Sequence, residues 1–183
     1  PSDYYAVQSQ LKFHSNHPID DLIILQSNDG LIITTDIIED YFEQYGDEIS
    51  MVMIGGVNYY SGQVFDIKAI TKKAHQYGCL VGFDLAHSTG NVILSLHNWG
   101  VDFATWCGYK YLNGGPGAPS GVFIHERHLG KKNIPRFEGW WGHNSSTRFQ
   151  ISKEFNPIDT AEAWQLSNPP ILALAPLIAS LKI

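Results

Sequence analysis

Three short groups stand directly behind apolar runs in this sequence, and their residue types set the chemistry to look for. Asp84 follows CLVGF, Tyr109-Lys110 follows DFATWCG, and Gly55-Gly56 follows SMVMI. Such runs read as buried strands, and in an open α/β sheet a ligand sits beyond the carboxyl ends of the strands. A lysine there, within a segment of aromatics and glycines (WCGYKYLNGGPG), is partly stripped of water. Desolvation favours the neutral amine, the form that attacks a carbonyl to make a Schiff base. A carboxylate on a neighbouring strand end suits a cationic heterocycle, because an adjacent anion keeps a ring nitrogen protonated. Plainer roles exist for both: Asp84 can cap a following helix, and Lys110 can reach out to solvent. His87, three residues after Asp84, can orient it or a ring above it.

Other groups carry less. Gly114, Gly115, Gly117 and Gly121 match neither phosphate-binding glycine spacing, and read as a tight loop entering the next strand. His125 and His128 are spaced i, i+3 without a third ligand, so no metal site is expected. Trp140-Trp141-Gly142-His143 and Ser167-Asn168 have no chemistry by spacing alone and fit a core, an interface or a ligand wall.

The elements that must position these residues follow from periodicity and stop signals. A helix is expected over 2–13 with Ser2 or Asp3 as its cap, and a strand over Leu22–Leu25. Asn28-Asp29-Gly30 signals a turn. Thr35 is expected to cap a helix reaching Tyr45 and stopped by Gly46. Asp66 is expected to cap one reaching Tyr77 and stopped by Gly78. Strands are expected at 50–54, 79–83, 101–107 and 120–124, with a short helix before the third. Residues 129–168 read as a long irregular excursion, and Pro170–Leu181 as a helix. Strand and helix alternating at about 25-residue spacing predict one α/β domain, a mainly parallel sheet covered by helices in three layers. Asp84 and Lys110 are 26 residues apart, one βαβ crossover. A carboxylate and a lysine so placed meet the needs of pyridoxal phosphate chemistry.

Composition narrows the alternatives. With 44% hydrophobic and 16% charged residues the chain can build a packed core, so wholesale disorder is excluded. Residues 1–100 carry 4 basic and 12 acidic groups and the rest 8 and 6, so no basic face for nucleic acid is implied. No apolar run approaches the ~20 residues of a membrane span. Cys79 and Cys107 lie in apolar runs and read as reduced thiols of a cytoplasmic protein. The chain opens without Met and stops inside an apolar helix, and so reads as part of something longer.

VGFDLAHSTGN (81–91), HNWGVDFATWCGYKYLNGGPG (97–117), GWWGH (139–143) and LSNPPIL (166–172) together resemble the kynureninase family. Pro1-Ser2-Asp3 is similar to the end of that family's Phe-Pro-Ser/Thr-Asp motif. The resemblance runs over essentially the whole chain and implies the large domain of a fold-type-I pyridoxal phosphate enzyme, without its N-terminal segment and small domain. It implies that Lys110 carries the cofactor and that Asp84 binds its ring nitrogen with His87 alongside. Tyr109 would contact the phosphate and donate a proton. Ser2, Asp3 and Gly55 would approach the ring, and Trp140 and Asn168 would complete the pocket, in part across a homodimer. At Gly55 some relatives carry a hydroxyl residue, so only a backbone contact is implied there. The implied reaction is hydrolysis of kynurenine or 3-hydroxykynurenine to alanine and an anthranilate, in tryptophan catabolism and NAD biosynthesis, with this chain alone turning over poorly. The alternatives are another fold-type-I enzyme, such as a cysteine desulfurase or aminotransferase, and an inert cofactor-binding fragment.

Overall fold

A computed structural model describes residues 2–14, 17, 20–131, 133–150 and 152–183. The apolar runs form one four-stranded sheet in the order β1 (Met51–Gly55), β2 (Leu80–Asp84), β3 (Phe103–Trp106), β4 (Gly121–Ile124). β1, β2 and β3 are parallel, each reached through a helical crossover. β4 is antiparallel to β3. Residues 107–120 hold no helix to carry the chain back over the sheet, and a parallel pair needs one. The glycine-rich run is therefore the reversal itself, with Gly115 at φ 75 and Gly117 at φ 79.

Among the described residues five α-helices accompany the sheet: α1 (Ser2–Phe13), α2 (Thr35–Tyr45), α3 (Ile67–Gln76), α4 (Leu96–Trp99) and α5 (Ile171–Ser180). Asp66 caps α3 as expected, its carboxylate accepting from the Ala69 N–H at 2.9 Å, and Gly78 follows the helix at φ 75. α2 differs in two details. Its cap is Thr34, one residue earlier than expected, whose hydroxyl accepts from the Ile37 N–H at 3.3 Å. Gly46 does not stop the chain in a left-handed turn but continues it at φ −55 into a short 3-10 turn, Gly46–Glu48. Ser2 and Asp3 lie within the first turn of α1; Pro1, which would precede them, is outside the described residues. The strand expected over Leu22–Leu25 does not form: the run pairs with no strand among the described residues, only Leu25 packs against the core, and Ile23 and Ile24 are exposed. No described helix is long and apolar enough to cross a membrane.

Register divides the sheet into two faces. Val52 and Ile54, Val81 and Phe83, Ala104 and Trp106, and Phe123 share one face and meet Ile38 and Phe42 of α2 and Ile67, Ile70 and Ala74 of α3. Fully burying a side chain such as Val81, Phe83 or Ile70 contributes roughly 1.5–3 kcal/mol. On the other face Met51, Met53, Leu80 and Val122 are exposed. Phe103 lies over Gly82 there, where any Cβ would overlap its ring.

One polar group ties the amino end of this sheet together. Asp102, 3% exposed, precedes β3 and accepts at 2.9 Å from the Val81 N–H of β2. It also meets His75 Nε2 of α3 at 2.8 Å, His128 Nε2 at 2.7 Å and Arg127 at 3.4 Å. Burial pushes its carboxyl up, but these hydrogen bonds and the His75 charge outweigh burial and hold it below the ordinary value of 3.8. A carboxyl held low in the fold stabilises above its unfolded pKa, and that contribution is lost as pH falls through the folded one. Asp102→Asn should therefore cost about 2–4 kcal/mol near pH 7, with the gap to wild type closing in denaturant titrations below pH 4. A pH-independent difference would show that packing, not charge, holds this end.

Candidate functional site

The parallel register brings Gly55, Asp84 and Thr105 into one row at the carboxyl ends of β1, β2 and β3. β2 is the middle of the three, so Asp84 emerges at the centre of the rim. It is half-buried, and its Oδ1 accepts from the Ala86 N–H at 2.7 Å. No helix follows; residues 85–91 are successive turns, so Asp84 does not cap one. Burial pushes its carboxyl upward first. The Ala86 N–H opposes this, the nearby Asp3 carboxyl adds to it, Lys110 opposes it, and the net direction is up. Two carboxyls on one rim, one of them desolvated, make a place where a cationic N–H is wanted.

Lys110 lies in the reversal between β3 and β4, and its Nζ is 2.8 Å from His87 Nε2. The other ring nitrogen of His87 is 3.5 Å from the Tyr111 hydroxyl. Tyr59, from the loop after β1, tilts against the same imidazole at 6.1 Å between ring centres. Lys110 Nζ is 6.0 Å from the centre of the Tyr109 ring, and Tyr109 is half-exposed. Asp3, Asp84, His87, Tyr109 and Lys110 thus gather on one rim, carried by α1, β2 and the loops behind β2 and β3.

The remaining expected residues stand as follows. Ser2 is exposed and donates to Asp3 at 3.3 Å. Gly55 has open space: a Cβ would lie 3.6 Å from the Val57 carbonyl, so a side chain fits there. Its neighbour Gly56 is the constrained one, since a Cβ would strike the buried Ser88 hydroxyl and come within 2.7 Å of Leu85. Trp140 and Asn168 are exposed, and no described hydrogen bond or ring contact joins either to the Lys110 group. Trp140 stacks edge-on with Trp141 at 5.1 Å and meets Phe149 at 6.0 Å, while Asn168 is 3.4 Å from the Ser167 hydroxyl. Tyr111 is the residue that sequence reasoning missed. Its adjacency to Lys110 was visible, but its reach back to His87 depends on the turn. His128 is turned to Asp102 at 2.7 Å, and no group of three His, Cys, Asp or Glu that could hold a metal ion occurs among the described residues.

Asp84 at the end of β2 and Lys110 in the loop behind β3 thus share the carboxyl rim of a mainly parallel α/β sheet. Residues 11–141 match the family described as aminotransferase class-V, and the chain belongs to that family. Over its full length the chain is 56% identical to the kynureninase of Myxococcus xanthus, 53% to that of Christiangramia forsetii and 48% to that of Nematostella vectensis. It spans 43% of the first two relatives and 40% of the third. Among solved structures, the apo cysteine desulfurase of Thermococcus onnurineus NA1 superposes with a TM-score of 0.65 at 19% identity, over 88% of this chain and 38% of that one. The cysteine desulfurase CsdA of Escherichia coli gives 0.63 at 16% identity, over 79% and 35%. These likenesses show the expected fold class, a mainly parallel sheet with helices as in fold-type-I enzymes.

A carboxyl whose pKa is raised by the fold penalises the fold when ionised. Asp84→Asn should keep the Ala86 hydrogen bond and remove that penalty. The unliganded variant is expected to melt above wild type at pH 7, with the gain shrinking as pH falls toward the carboxylate range. A lower melting temperature would mean that Asp84 is a structural group.

Proposed function

We propose that this chain is the cofactor-binding part of a kynureninase, with Lys110 as the attachment point for pyridoxal phosphate and Asp84 as the anion beneath its ring nitrogen. The observation that carries the reading is the rim itself: a primary amine held by an imidazole, beside the half-buried Asp84 carboxyl with the exposed Asp3 carboxyl near it. That donor set fits an aldehyde bearing a basic ring. When bound, the cofactor supplies an electron-accepting ring to the substrate's α-carbon. Asp84 would hold the ring nitrogen protonated, Lys110 would hold the aldehyde and carry a proton, and Tyr109, whose ring centre lies 6.0 Å from Lys110 Nζ, would serve as a hydroxyl donor. The substrate class is an aryl ketone amino acid, kynurenine or its 3-hydroxy form, hydrolysed to alanine and an anthranilate. Tyr59 and Tyr60, 62% and 76% exposed, offer flat walls for the aryl group.

The full-length identity to kynureninases supports this choice over a desulfurase. A desulfurase needs a mobile nucleophilic cysteine. Cys79 is buried with its thiol 3.1 Å from the Ile49 carbonyl, and Cys107 is half-buried just behind β3. The same reading places the protein in cytoplasmic tryptophan catabolism, as a homodimer in which Trp140 and Asn168 face a neighbour. The exposure of Trp140 and Phe149 side by side supports an interface there.

Borohydride treatment of the 183-residue chain loaded with pyridoxal phosphate should leave a pyridoxyl group on Lys110, located by peptide mass mapping. Label confined to Lys72, Lys73, Lys131 or Lys132 would overturn the assignment. Turnover by this chain should nevertheless be small, because a substrate carboxylate wants a bidentate arginine and all three arginines are engaged. Arg127 holds the Gly100 carbonyl and Asp102, Arg136 the Lys131 carbonyl, and Arg148 the carbonyls of Trp141 and His143. Lacking that charge pair costs roughly 2–5 kcal/mol, or about 30- to several-thousandfold. A rate with 3-hydroxykynurenine equal to that of the Myxococcus xanthus kynureninase would refute this.

A further inference from the structure

The contact between Lys110 and His87 has a direction that tautomer chemistry fixes. An ammonium carries only donors, so a charged Lys110 can approach His87 Nε2 at 2.8 Å only if Nε2 is the bare lone pair. A neutral imidazole with its lone pair on Nε2 carries its proton on Nδ1. That N–H faces the Tyr111 hydroxyl at 3.5 Å, and a hydroxyl can accept it. The ring is held for this purpose. Tyr111 meets it edge-on at 6.0 Å and 69°, Tyr59 leans on its face, and its backbone carbonyl accepts from Asn91 at 2.9 Å. The backbone of Tyr111 is fixed as well: a Cβ at Gly90, where φ is 82, would lie 2.8 Å from the Tyr111 carbonyl. The turn that carries His87 and the turn that carries Lys110 and Tyr111 are therefore in contact.

We propose that His87 is the base that deprotonates Lys110 before it bonds to a carbonyl, and that Tyr111 is the positioning residue that keeps His87 Nε2 facing the lysine. In the step, one N–H bond of the Lys110 ammonium breaks and an Nε2–H bond forms. The products are a neutral amine, with its lone pair free for the carbonyl carbon, and an imidazolium. Both imidazolium protons keep partners, Nε2–H on the amine and Nδ1–H on Tyr111. No oxidant or further reactant is needed. An active lysine must lose a proton before it can add to an aldehyde, and this pair supplies the acceptor within hydrogen-bond distance of it. The proposal rests on Lys110 being the attachment point.

The test uses the 183-residue chain without substrate. Nitrogen NMR of protein labelled with 15N-histidine should show neutral His87 with its proton on Nδ1; a proton found on Nε2 in the wild type overturns the proposal without any variant. The rate of covalent attachment of pyridoxal phosphate is then followed by absorbance across pH 6–9. Tyr111→Phe should leave His87 as a tautomer mixture and slow attachment about 2- to 12-fold, the worth of one neutral hydrogen bond. His87→Asn should slow it roughly hundredfold and remove an ionisation from the pH profile, as loss of a proton acceptor does. Attachment to Lys110 at wild-type rates in both variants would refute the base while leaving the attachment site intact. No attachment at Lys110 in the wild type would refute both.

Discussion

The buried carboxylate of Asp102 fixes where everything else stands. It takes the Val81 N–H at the start of β2 and two histidines and an arginine from elements on either side. Its own backbone pairs with Val81 and His125. The pairing of β2 with β3 is therefore held at their amino ends by charge and hydrogen bonds as well as by apolar contact. A strand slipped by one residue turns every side chain to the opposite face. Such a slip would bury Asp84 among Phe83's neighbours and send Phe83 to the rim. With Val81 pinned, Asp84 comes out three residues later beside Gly55 and Thr105, and the reversal behind β3 delivers Lys110 to the same rim. Asp102 and its partners sit at one end of the sheet, and Asp84 and Lys110 at the other.

The two carboxylates obey opposite rules. Asp102 is surrounded by donors and held low, so its ionised form stabilises the fold. Asp84 has one backbone donor, partial burial and a second carboxyl beside it, so its ionised form is penalised. A carboxyl so placed is favoured by a cationic partner, which is the part the proposed reading gives to a ring nitrogen. Asp3 sharpens this. It comes from α1, which buries no residue among those described, and its influence on Asp84 is electrostatic and unfavourable in the unliganded rim.

Much of this was legible in the sequence because parallel strands are apolar on both faces and end abruptly at polar residues. CLVGF followed by Asp84, and DFATWCG followed by Tyr109-Lys110, announce both the strand and its rim. What was not legible depends on partners far away in sequence. Leu22–Leu25 has strand composition but no neighbour to pair with among the described residues. The direction of β4 follows from a missing crossover, not from the residues of β4 itself. Gly55 and Gly56 look alike in sequence, and only Ser88, folded against the second, shows which glycine is required. Trp140 and Asn168 drew their roles from family resemblance, and their observed contacts are with their own segment.

Tyr111 lies between these cases and shows why a lysine of this kind belongs in a turn. A strand would point residues 109 and 111 to the face opposite Lys110 and separate them from it. Here the chain leaves β3 and tightens at once, with the Gly114 N–H on the Gly108 carbonyl at 2.9 Å and the Asn113 N–H on the Lys110 carbonyl at 3.0 Å. Asn113 takes φ 55 to allow it. The tightening places Tyr109, Lys110 and Tyr111 around one imidazole and one amine. The glycines and prolines that follow matter less for contacts of their own than for the curvature they permit. The lysine is held by backbone geometry, and its ammonium is left with a single imidazole lone pair as a hydrogen-bond partner among the described side chains. On the proposed reading, an amine that bonds to a carbonyl is served by that combination: backbone turns that position it and a proton acceptor one hydrogen bond away.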